Sequence, residues 1–139
     1  MPTLFTLEIL TPEHPFFNEE VEAIRITAPD GEMTVLARHA PLVAPLGVGV
    51  LTIKQNGVWR EAFHAEGFLE VLHDGVFVFT QSCEWPENID VRRAEEARRR
   101  AEEELRQQQS LREFKMTQIA LTRAMERLRV TRSNSLKKR

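Results

Sequence analysis

Arginine side chains form the most distinctive chemical pattern in this 139-residue sequence. Arg92 and Arg93 are followed by three more arginines at positions 98–100, and glutamates lie among them at 95–96 and 102–104. On a helix, residues three and four positions apart are neighbours, so many of these charges would form surface ion pairs. Guanidinium groups also bind phosphates and carboxylates. The pattern predicts either a solvated, ion-paired helix face or a site for an anionic partner.

One thiol and four imidazoles are the other side chains suited to chemistry. Cys83 with His64 or His39 would make the thiol–imidazole pair that nucleophilic catalysis uses. A single cysteine at the end of an apolar strand is more typical of a small buried side chain, which is the role we predict. His14 and His73 complete the set of histidines, and the four lack the spacing of metal ligands. We therefore predict no metal site.

The motifs of several common enzyme classes are absent from the sequence. It contains no G-x-x-x-x-G-K-[ST] loop, no C-x-x-C, no H-E-x-x-H and no G-x-S-x-G. It also has no run of about 18 apolar residues, the length that a membrane-spanning helix needs. We predict a chain that is not an enzyme, that has no obligatory cofactor and that does not itself cross a membrane.

Charge divides the chain near residue 88. Residues 1–87 carry 4 basic and 13 acidic side chains, whereas residues 88–139 carry 15 basic and 8 acidic ones. The first segment has a balance of −9 and the second of +7, which together give the net charge of −2. Such asymmetry indicates two structural units, and the basic one needs an acidic partner or a bound anion.

The first unit, residues 1–87, is predicted to be an antiparallel β-sandwich or flattened barrel. Apolar residues alternate with the period of two of a half-buried strand. Asp30-Gly31, Asn56-Gly57 and Asp74-Gly75 interrupt the runs and favour tight hairpins. The predicted strands cover residues 5–9, 21–26, 33–36, 48–53, 58–63, 68–72 and 76–79.

The segment from residue 39 to residue 49 interrupts this pattern with two prolines and two glycines. Proline lacks the N–H that a central strand donates, so we predict a structured crossing segment here. Two interpretations remain open. The segment turns the chain at the end of the sandwich, or it presents an apolar edge to a partner through Leu42, Val43, Leu46 and Val48.

The second unit, residues 88–139, is predicted to hold two helices of about 90–109 and 111–130, followed by a frayed basic tail. Asp90 is placed to cap the first helix, and Ser110 with Glu113 matches the capping box of a second. The two amphipathic helices form either a closed hairpin or one long rod. The first carries a stripe of small residues, Ala94, Ala97, Ala101 and Leu105, and the second an apolar seam, Leu111, Phe114, Leu121, Met125 and Leu128, with Gln118 between.

Four segments in one order resemble the epsilon subunit of bacterial F-type ATP synthases. They are Thr11-Pro12, residues 30–42 (DGEMTVLARHAPL), residues 67–71 (GFLEV) and residues 89–94 (IDVRRA), the last matching I-D-x-x-R-A. The resemblance spans residues 3 to about 130. It implies a non-catalytic rotor subunit of the central stalk, peripheral to the cytoplasmic face of a bacterial plasma membrane.

The resemblance also implies partners and a regulatory mechanism. The sandwich would bind the gamma subunit and the ring of c subunits, with a partner loop at Arg38, His39, Pro41 and Leu42. The helices would move between a hairpin and an extended arm that blocks ATP hydrolysis near the alpha and beta subunits. Contacts with this catalytic head are expected from Arg123, Arg127, Arg129 and Arg132.

In some bacterial members of this family, ATP binds the folded hairpin. The matching positions here are Glu84, Ile89, Asp90, Arg93, Ala94, Arg100, Arg123 and Arg127. The resemblance therefore implies a regulatory ATP site. A stand-alone nucleotide sensor or a nucleic-acid adaptor is the alternative, although the basic face offers few groups that stack on bases or read them.

Two features depart from the family pattern. Where the family commonly has a G-I-L-P-G-H run, this chain has Thr34 to His39, so another residue must make the tight turn and Arg38 adds a charge there. The tail is also longer and more basic than the pattern needs, which favours an inhibitory arm.

Overall fold

The computed structural model describes residues 3–107 and 110–137, without the side chain of Lys137. The chain divides into two compact units, Met1–Glu84 and Trp85–Arg139. The first unit contains ten strands: β1 (Phe5–Leu10), β2 (Pro15–Val21), β3 (Ala23–Ala28), β4 (Gly31–Leu36), β5 (Leu42–Leu46), β6 (Gly49–Gln55), β7 (Val58–His64), β8 (Gly67–Leu72), β9 (Gly75–Thr80) and β10 (Cys83–Glu84).

These strands form two five-stranded sheets. Sheet A has the order β2-β1-β9-β8-β5, and sheet B has the order β10-β7-β6-β3-β4. The predicted sandwich is confirmed, with one parallel pair, β1 and β9, in which Leu7 aligns with Val76. β1 and β9 are far apart in sequence, so no hairpin constrains their relative direction.

Apolar side chains from both sheets fill the space between them. Successive side chains of a strand point to opposite faces, which explains why buried and partly exposed positions alternate along β1 and β6. The largest fully buried side chains are Phe63, Leu7, Ile9, Ile24, Ile26, Leu51, Ile53, Leu69, His64, Val21, Val35 and Val78.

Strands β2, β3, β5 and β10 differ most from the sequence-based prediction. Residues 21–26 do not form one strand, because β2 ends at Val21 and β3 begins at Ala23. At the break, the Glu22 N–H donates to the Lys54 carbonyl. The sequence does not predict β2, because its residues 18–20 are all polar and do not alternate with apolar ones. These residues are exposed, and β2 lies at the edge of sheet A.

The predicted crossing segment contains a regular strand, β5, at the edge of sheet A. The prediction that no central strand lies here stands, but the segment is more regular than expected. Pro45 is tolerated because an edge strand has one side without ladder hydrogen bonds. Ala44 and Leu46 are buried while Val43 is exposed, so Leu46 belongs to the core and not to an apolar partner edge.

The second unit begins with a single 3-10 turn, Pro86–Asn88, and continues with α1 (Val91–Arg106) and α2 (Leu111–Lys137). The Asp90 carboxylate accepts from the Arg93 N–H at 3.1 Å, and the Ser110 hydroxyl accepts from the Glu113 N–H at 3.3 Å. Both predicted N-caps are therefore present, and each satisfies a backbone donor that the helix cannot.

The C-terminal ends of α1 and α2 both differ from the predicted ends. α1 stops at Arg106 rather than near 109, and Gln108 and Gln109 lie outside the described residues. α2 continues to Lys137, so residues 131–137 are helical rather than a frayed tail, while Lys138 and Arg139 lie outside the description. No glycine or proline interrupts residues 111–137, and cationic residues near a helix C-terminus are favoured by its dipole.

α1 and α2 pack as a hairpin, and the short link between them makes them antiparallel. The Thr117 hydroxyl donates to Glu104 at 3.3 Å across the pair. The buried residues are mostly small: Ala94 and Ala101 on α1, and Thr117, Ala124, Leu128 and Val130 on α2.

The apolar seam predicted for α2 is only partly used in this hairpin. Leu128 is buried, but Leu111 is 70% exposed and Met125 is 51% exposed. The hairpin instead buries Thr117 and Ala124, which are small enough to allow close approach of the two helices. The closed hairpin therefore leaves apolar surface uncovered.

Candidate functional site

Four of the candidate arginines occupy equivalent positions relative to the contact between α1 and α2. Arg93, Arg100, Arg123 and Arg127 each directly precede a buried residue of the two helices. One residue corresponds to about 100° of rotation on an α-helix, so each arginine lies about 100° from the buried contact in the same rotational sense. In an antiparallel pair, the same sense on both helices gives the same side. The four guanidinium groups therefore belong to one side of the hairpin.

The hydrogen bond between Glu104 and Thr117 sets the level of these arginines along the hairpin. Arg93 precedes Glu104 by eleven positions and Arg127 follows Thr117 by ten, so the two lie at nearly the same level. Arg100 precedes Glu104 by four and Arg123 follows Thr117 by six. With a rise of about 1.5 Å per residue, the four span roughly 10 Å along the helices.

Ion pairs distinguish the arginines of α1. Arg92 pairs with Glu96 at 3.4 Å, and Arg98 pairs with Glu95 at 2.9 Å. No carboxylate among the described residues forms an ion pair with Arg93 or Arg100. The ion-paired interpretation holds for Arg92 and Arg98, whereas Arg93 and Arg100 are exposed and form no such pair with a described carboxylate.

The remaining candidate positions cluster near the start of the second unit, with one exception. Ile89 follows the 3-10 turn and donates its N–H to the Pro86 carbonyl, and Asp90 is occupied as the N-cap of α1. Ala94 is buried between the helices. Glu84 belongs to the first unit, where it ends β10 opposite Phe63.

The candidate partner loop follows β4. Arg38 has a φ of 65°, so an arginine makes the left-handed turn for which the family pattern has glycine. The His39 N–H donates to the Leu36 carbonyl at 3.3 Å, and its Nδ1 lies 2.8 Å from the Ala40 carbonyl. Arg38, His39 and Pro41 are exposed, and the loop lines an open cavity of about 730 Å³ at the rim of the sandwich.

An apolar row crosses the outer face of sheet A, and sequence reasoning did not identify it. Phe68 and Phe79 stack with ring centroids 4.8 Å apart, and Phe68 remains 43% exposed. Strand register extends the row across all five strands as Pro45, Phe68, Phe79, Leu10 and Pro15. Single apolar residues on a strand are unremarkable, so only the register makes this row visible.

Cys83 and His64 do not form a catalytic pair. Burial raises the pKa of the Cys83 thiol, which opposes formation of the nucleophilic thiolate, and the prediction of a small buried side chain is confirmed. Both ring nitrogens of His64 face backbone groups. Within residues 3–107 and 110–137, no cluster of three or more metal-ligating side chains was found.

Comparison with known proteins identifies the family. The model of the ATP synthase delta/epsilon chain β-sandwich domain matches residues 4–86, and that of the delta/epsilon chain long α-helix domain matches residues 87–132. The chain belongs to the ATP synthase delta/epsilon family. Membership confirms the resemblance and the prediction of an accessory subunit that is not itself an enzyme.

Relatives within this family are similar over nearly their whole length. An ATP synthase epsilon chain of Caldicellulosiruptor saccharolyticus is 48% identical over 126 residues, covering 91% of this chain and 92% of the relative. One of Caldanaerobacter subterraneus subsp. tengcongensis is 44% identical over 131 residues, covering 94% and 95%.

Two solved structures share the fold. A chain of the Euglena gracilis mitochondrial ATP synthase has a TM-score of 0.79 at 24% identity, covering 98% of this chain and 83% of that one. A chain of the Tetrahymena thermophila mitochondrial ATP synthase central stalk and c-ring has a TM-score of 0.68 at 12% identity, covering 94% and 98%. In the part of this chain that is described, no helix is long and apolar enough to span a membrane.

Proposed function

We propose that this chain is a rotor subunit in the central stalk of a proton-translocating F-type ATP synthase and that its helices regulate ATP hydrolysis. The sandwich anchors it to the gamma subunit and the c ring, at the cytoplasmic face of the bacterial plasma membrane. The helices engage the alpha and beta subunits when they extend. The observation that carries this proposal is the apolar surface left uncovered on both units of a family member.

The apolar row of sheet A is the proposed anchor to the gamma subunit. Its residues form a continuous strip, whereas the next row on the same face contains Glu8 and Glu70. A contiguous exposed apolar strip with a polar border is typical of a protein–protein contact. The loop with Arg38 and His39 lies at the rim of the sandwich and is the proposed contact with the c ring.

The exposed part of the α2 seam supports a mobile regulatory arm. Leu111, Phe114 and Met125 lie outside the hairpin contact, which is built largely from small side chains. Burial stabilises by roughly 25 cal/mol per Å² of apolar area, so a contact between small residues favours closure only weakly. An extended α2 would cover its seam against a partner, and its arginines suit an acidic surface.

ATP hydrolysis by a catalytic head that lacks this subunit tests the proposal. We would add the full chain or a truncation ending at Glu87, and measure both gamma binding and hydrolysis. We expect both to bind gamma and only the full chain to slow hydrolysis. If both bind and neither slows hydrolysis, the regulatory part is wrong, and if neither binds, the rotor assignment is wrong.

We also propose that ATP binds the closed hairpin and stabilises it. The four arginines on one side of the hairpin span a length suited to a triphosphate, and Arg93 and Arg100 carry no ion pair with a described carboxylate. Guanidinium groups bind phosphates through charge-assisted hydrogen bonds. Ile89, Asp90 and Ala94, which belong to the same unit as the four arginines, are the proposed contacts for the nucleoside, as the family resemblance implies.

Calorimetric titration of the full chain with ATP tests this site. We expect Arg100→Ala to weaken binding by about tenfold or more, because a hydrogen bond to a charged group contributes roughly 1.5–3 kcal/mol. Arg99→Ala is the matched control, since Arg99 is also exposed but is rotated by about 100° around α1. No heat at millimolar ATP, or equal losses in both variants, would contradict the proposed site.

A further inference from the structure

His64 lies where two neighbouring strands of sheet B separate. β3 pairs with β6 only from Ala23 to Arg25, so Thr27 lies beyond that ladder. The Thr27 N–H instead donates to His64 Nε2, with a nitrogen separation of 3.4 Å. The Thr27 hydroxyl donates to the Val50 carbonyl at 3.2 Å, and the Thr27 carbonyl accepts from the Gly47 N–H at 3.0 Å. The imidazole thus accepts from a backbone N–H that lies beyond the β3–β6 ladder. We call the surroundings of Thr27, bounded by His64, Val50 and Gly47, the corner.

The hydrogen bonds of His64 require one protonation state. Nδ1 lies 3.1 Å from the Ala65 carbonyl, which only accepts, so Nδ1 must carry a proton. Nε2 faces the Thr27 N–H, which only donates, so Nε2 must be without one. The Thr80 hydroxyl donates to the same Ala65 carbonyl at 2.8 Å. This network joins residues of β3, β7 and β9 and requires a neutral ring.

The surroundings of His64 offer no charge that would stabilise an imidazolium. The residues aligned with it are Gly49 on β6 and Cys83 on β10, and the buried Cys83 thiol is neutral. Among the described residues of the sandwich, no charged side chain is buried. The charged residues on β7 and on the strands near it are Arg25, Lys54, Arg60, Glu61 and Glu84, and none of them is buried. Burial lowers the pKa of His64, and this effect outweighs hydrogen bonding to the backbone of Ala65 and Gly47, which favours the charged ring.

We propose that His64 is a proton-operated latch in the sandwich, which opens the corner around Thr27 when Nε2 is protonated. A protonated Nε2 cannot accept from Thr27, and two donors would then face each other in the core. The Gly47 N–H is bound to Thr27 in the same corner and directly follows β5, the edge strand that carries Pro45 of the apolar row. Opening therefore loosens β5.

The direction of the pH effect follows from linkage. Because folding lowers the pKa of His64, the folded state resists a proton that the unfolded state binds. The stabilisation is complete above the ordinary pKa of about 6.5 and decreases as the pH falls below it. The opening equilibrium changes by up to about tenfold per pH unit in that range.

Native-state amide exchange of the full chain, followed by NMR between pH 7.5 and 5.0 and corrected for intrinsic exchange, tests the latch. We expect the Thr27 and Gly47 amides to lose protection by tenfold or more at low pH. In His64→Gln, the amide oxygen accepts without titrating, so protection of these amides should be independent of pH. His73→Gln is the matched control, because His73 is exposed in the turn before β9 and should behave like the wild type.

Two results would overturn the proposal. One is the same loss of protection in His64→Gln as in the wild type. The other, which applies even if that variant fails to fold, comes from imidazole nitrogen shifts of the wild type. We expect His64 to carry its proton on Nδ1 at pH 7.5 and to become an imidazolium together with the loss of Thr27 protection. Protonation of His64 while Thr27 stays protected would exclude a latch.

Discussion

Gly67 shows how a single side-chain position determines the packing of sheet A. It opens β8 and aligns with Thr80 of β9 and Leu46 of β5. A Cβ added at this position would collide with the carbonyl of Phe79 and approach the Cα of Thr80. Both are backbone atoms, so the neighbouring strand would have to move. Glycine is required here by close approach and not by a left-handed conformation.

Gly67→Ala should therefore destabilise the chain by about 3 kcal/mol, as overpacking of a rigid site does. Urea unfolding measured by circular dichroism provides the free energy of unfolding. Gly47→Ala is the control, because a Cβ there would meet its nearest neighbours at 3.8 to 3.9 Å, which is ordinary contact. Equal free energies of unfolding for both variants would mean that the backbone of β8 and β9 separates easily.

In α1, the buried alanines that contact α2 lie next to exposed arginines. Ala94 and Ala101 recur seven positions apart on α1 and are buried, while the arginines directly preceding them are exposed. This arrangement joins two properties in one helix, since the stripe closes the hairpin and the adjoining positions present guanidinium groups. A change in the stripe should therefore alter the proposed nucleotide site without removing any of its charges.

Ala101→Leu should favour the open form of the hairpin, because overpacking a close contact costs about 1–3 kcal/mol. Distances between spin labels on α1 and α2 should broaden, and the variant should bind ATP more weakly because only the closed hairpin joins the four arginines. Ala120→Leu is the control, since Ala120 is exposed on α2. Unchanged spin-label distances in Ala101→Leu would show that the contact accepts a larger side chain.

The two units carry opposite net charges, and the basic unit is the one expected to bind an acidic partner. The basic unit contains the proposed inhibitory arm, and α2 remains helical through its basic C-terminal part. Charge attraction to an acidic partner is screened by salt over a Debye length of about 10 Å at 0.1 M. Inhibition that depends on the arm should therefore weaken as ionic strength rises.

Replacing Arg123, Arg127, Arg129 and Arg132 with glutamine should reduce inhibition of the catalytic head and its dependence on salt. Hydrolysis rates at increasing salt concentration measure both effects. A variant with glutamine at Arg92, Arg99, Arg106 and Arg112 loses the same net charge and should keep most of the inhibition. If the first variant inhibits as the wild type does at every salt concentration, the electrostatic account is wrong.

The local features of the fold could be predicted from short stretches of sequence. Asp90 and Ser110 act within three residues of themselves, so their capping roles follow from spacing alone. Asn56 and Gly57 both have positive φ, as their hairpin turn requires. The predicted end of α2 near residue 130 is wrong, because polar residues such as Ser133 and Asn134 resemble a frayed tail although no glycine or proline in residues 131–137 stops the helix.

Short-range patterns along the chain are enough to predict the β-sandwich and both helix caps. Strand pairing and packing were needed to show that β5 is an edge strand, that the apolar row is continuous and that Thr117 and Ala124 are buried in the hairpin. They also show that His64 fills a gap in sheet B. Caps and periodicity depend on neighbours in the sequence, whereas strand register and packing bring together residues that are far apart in it.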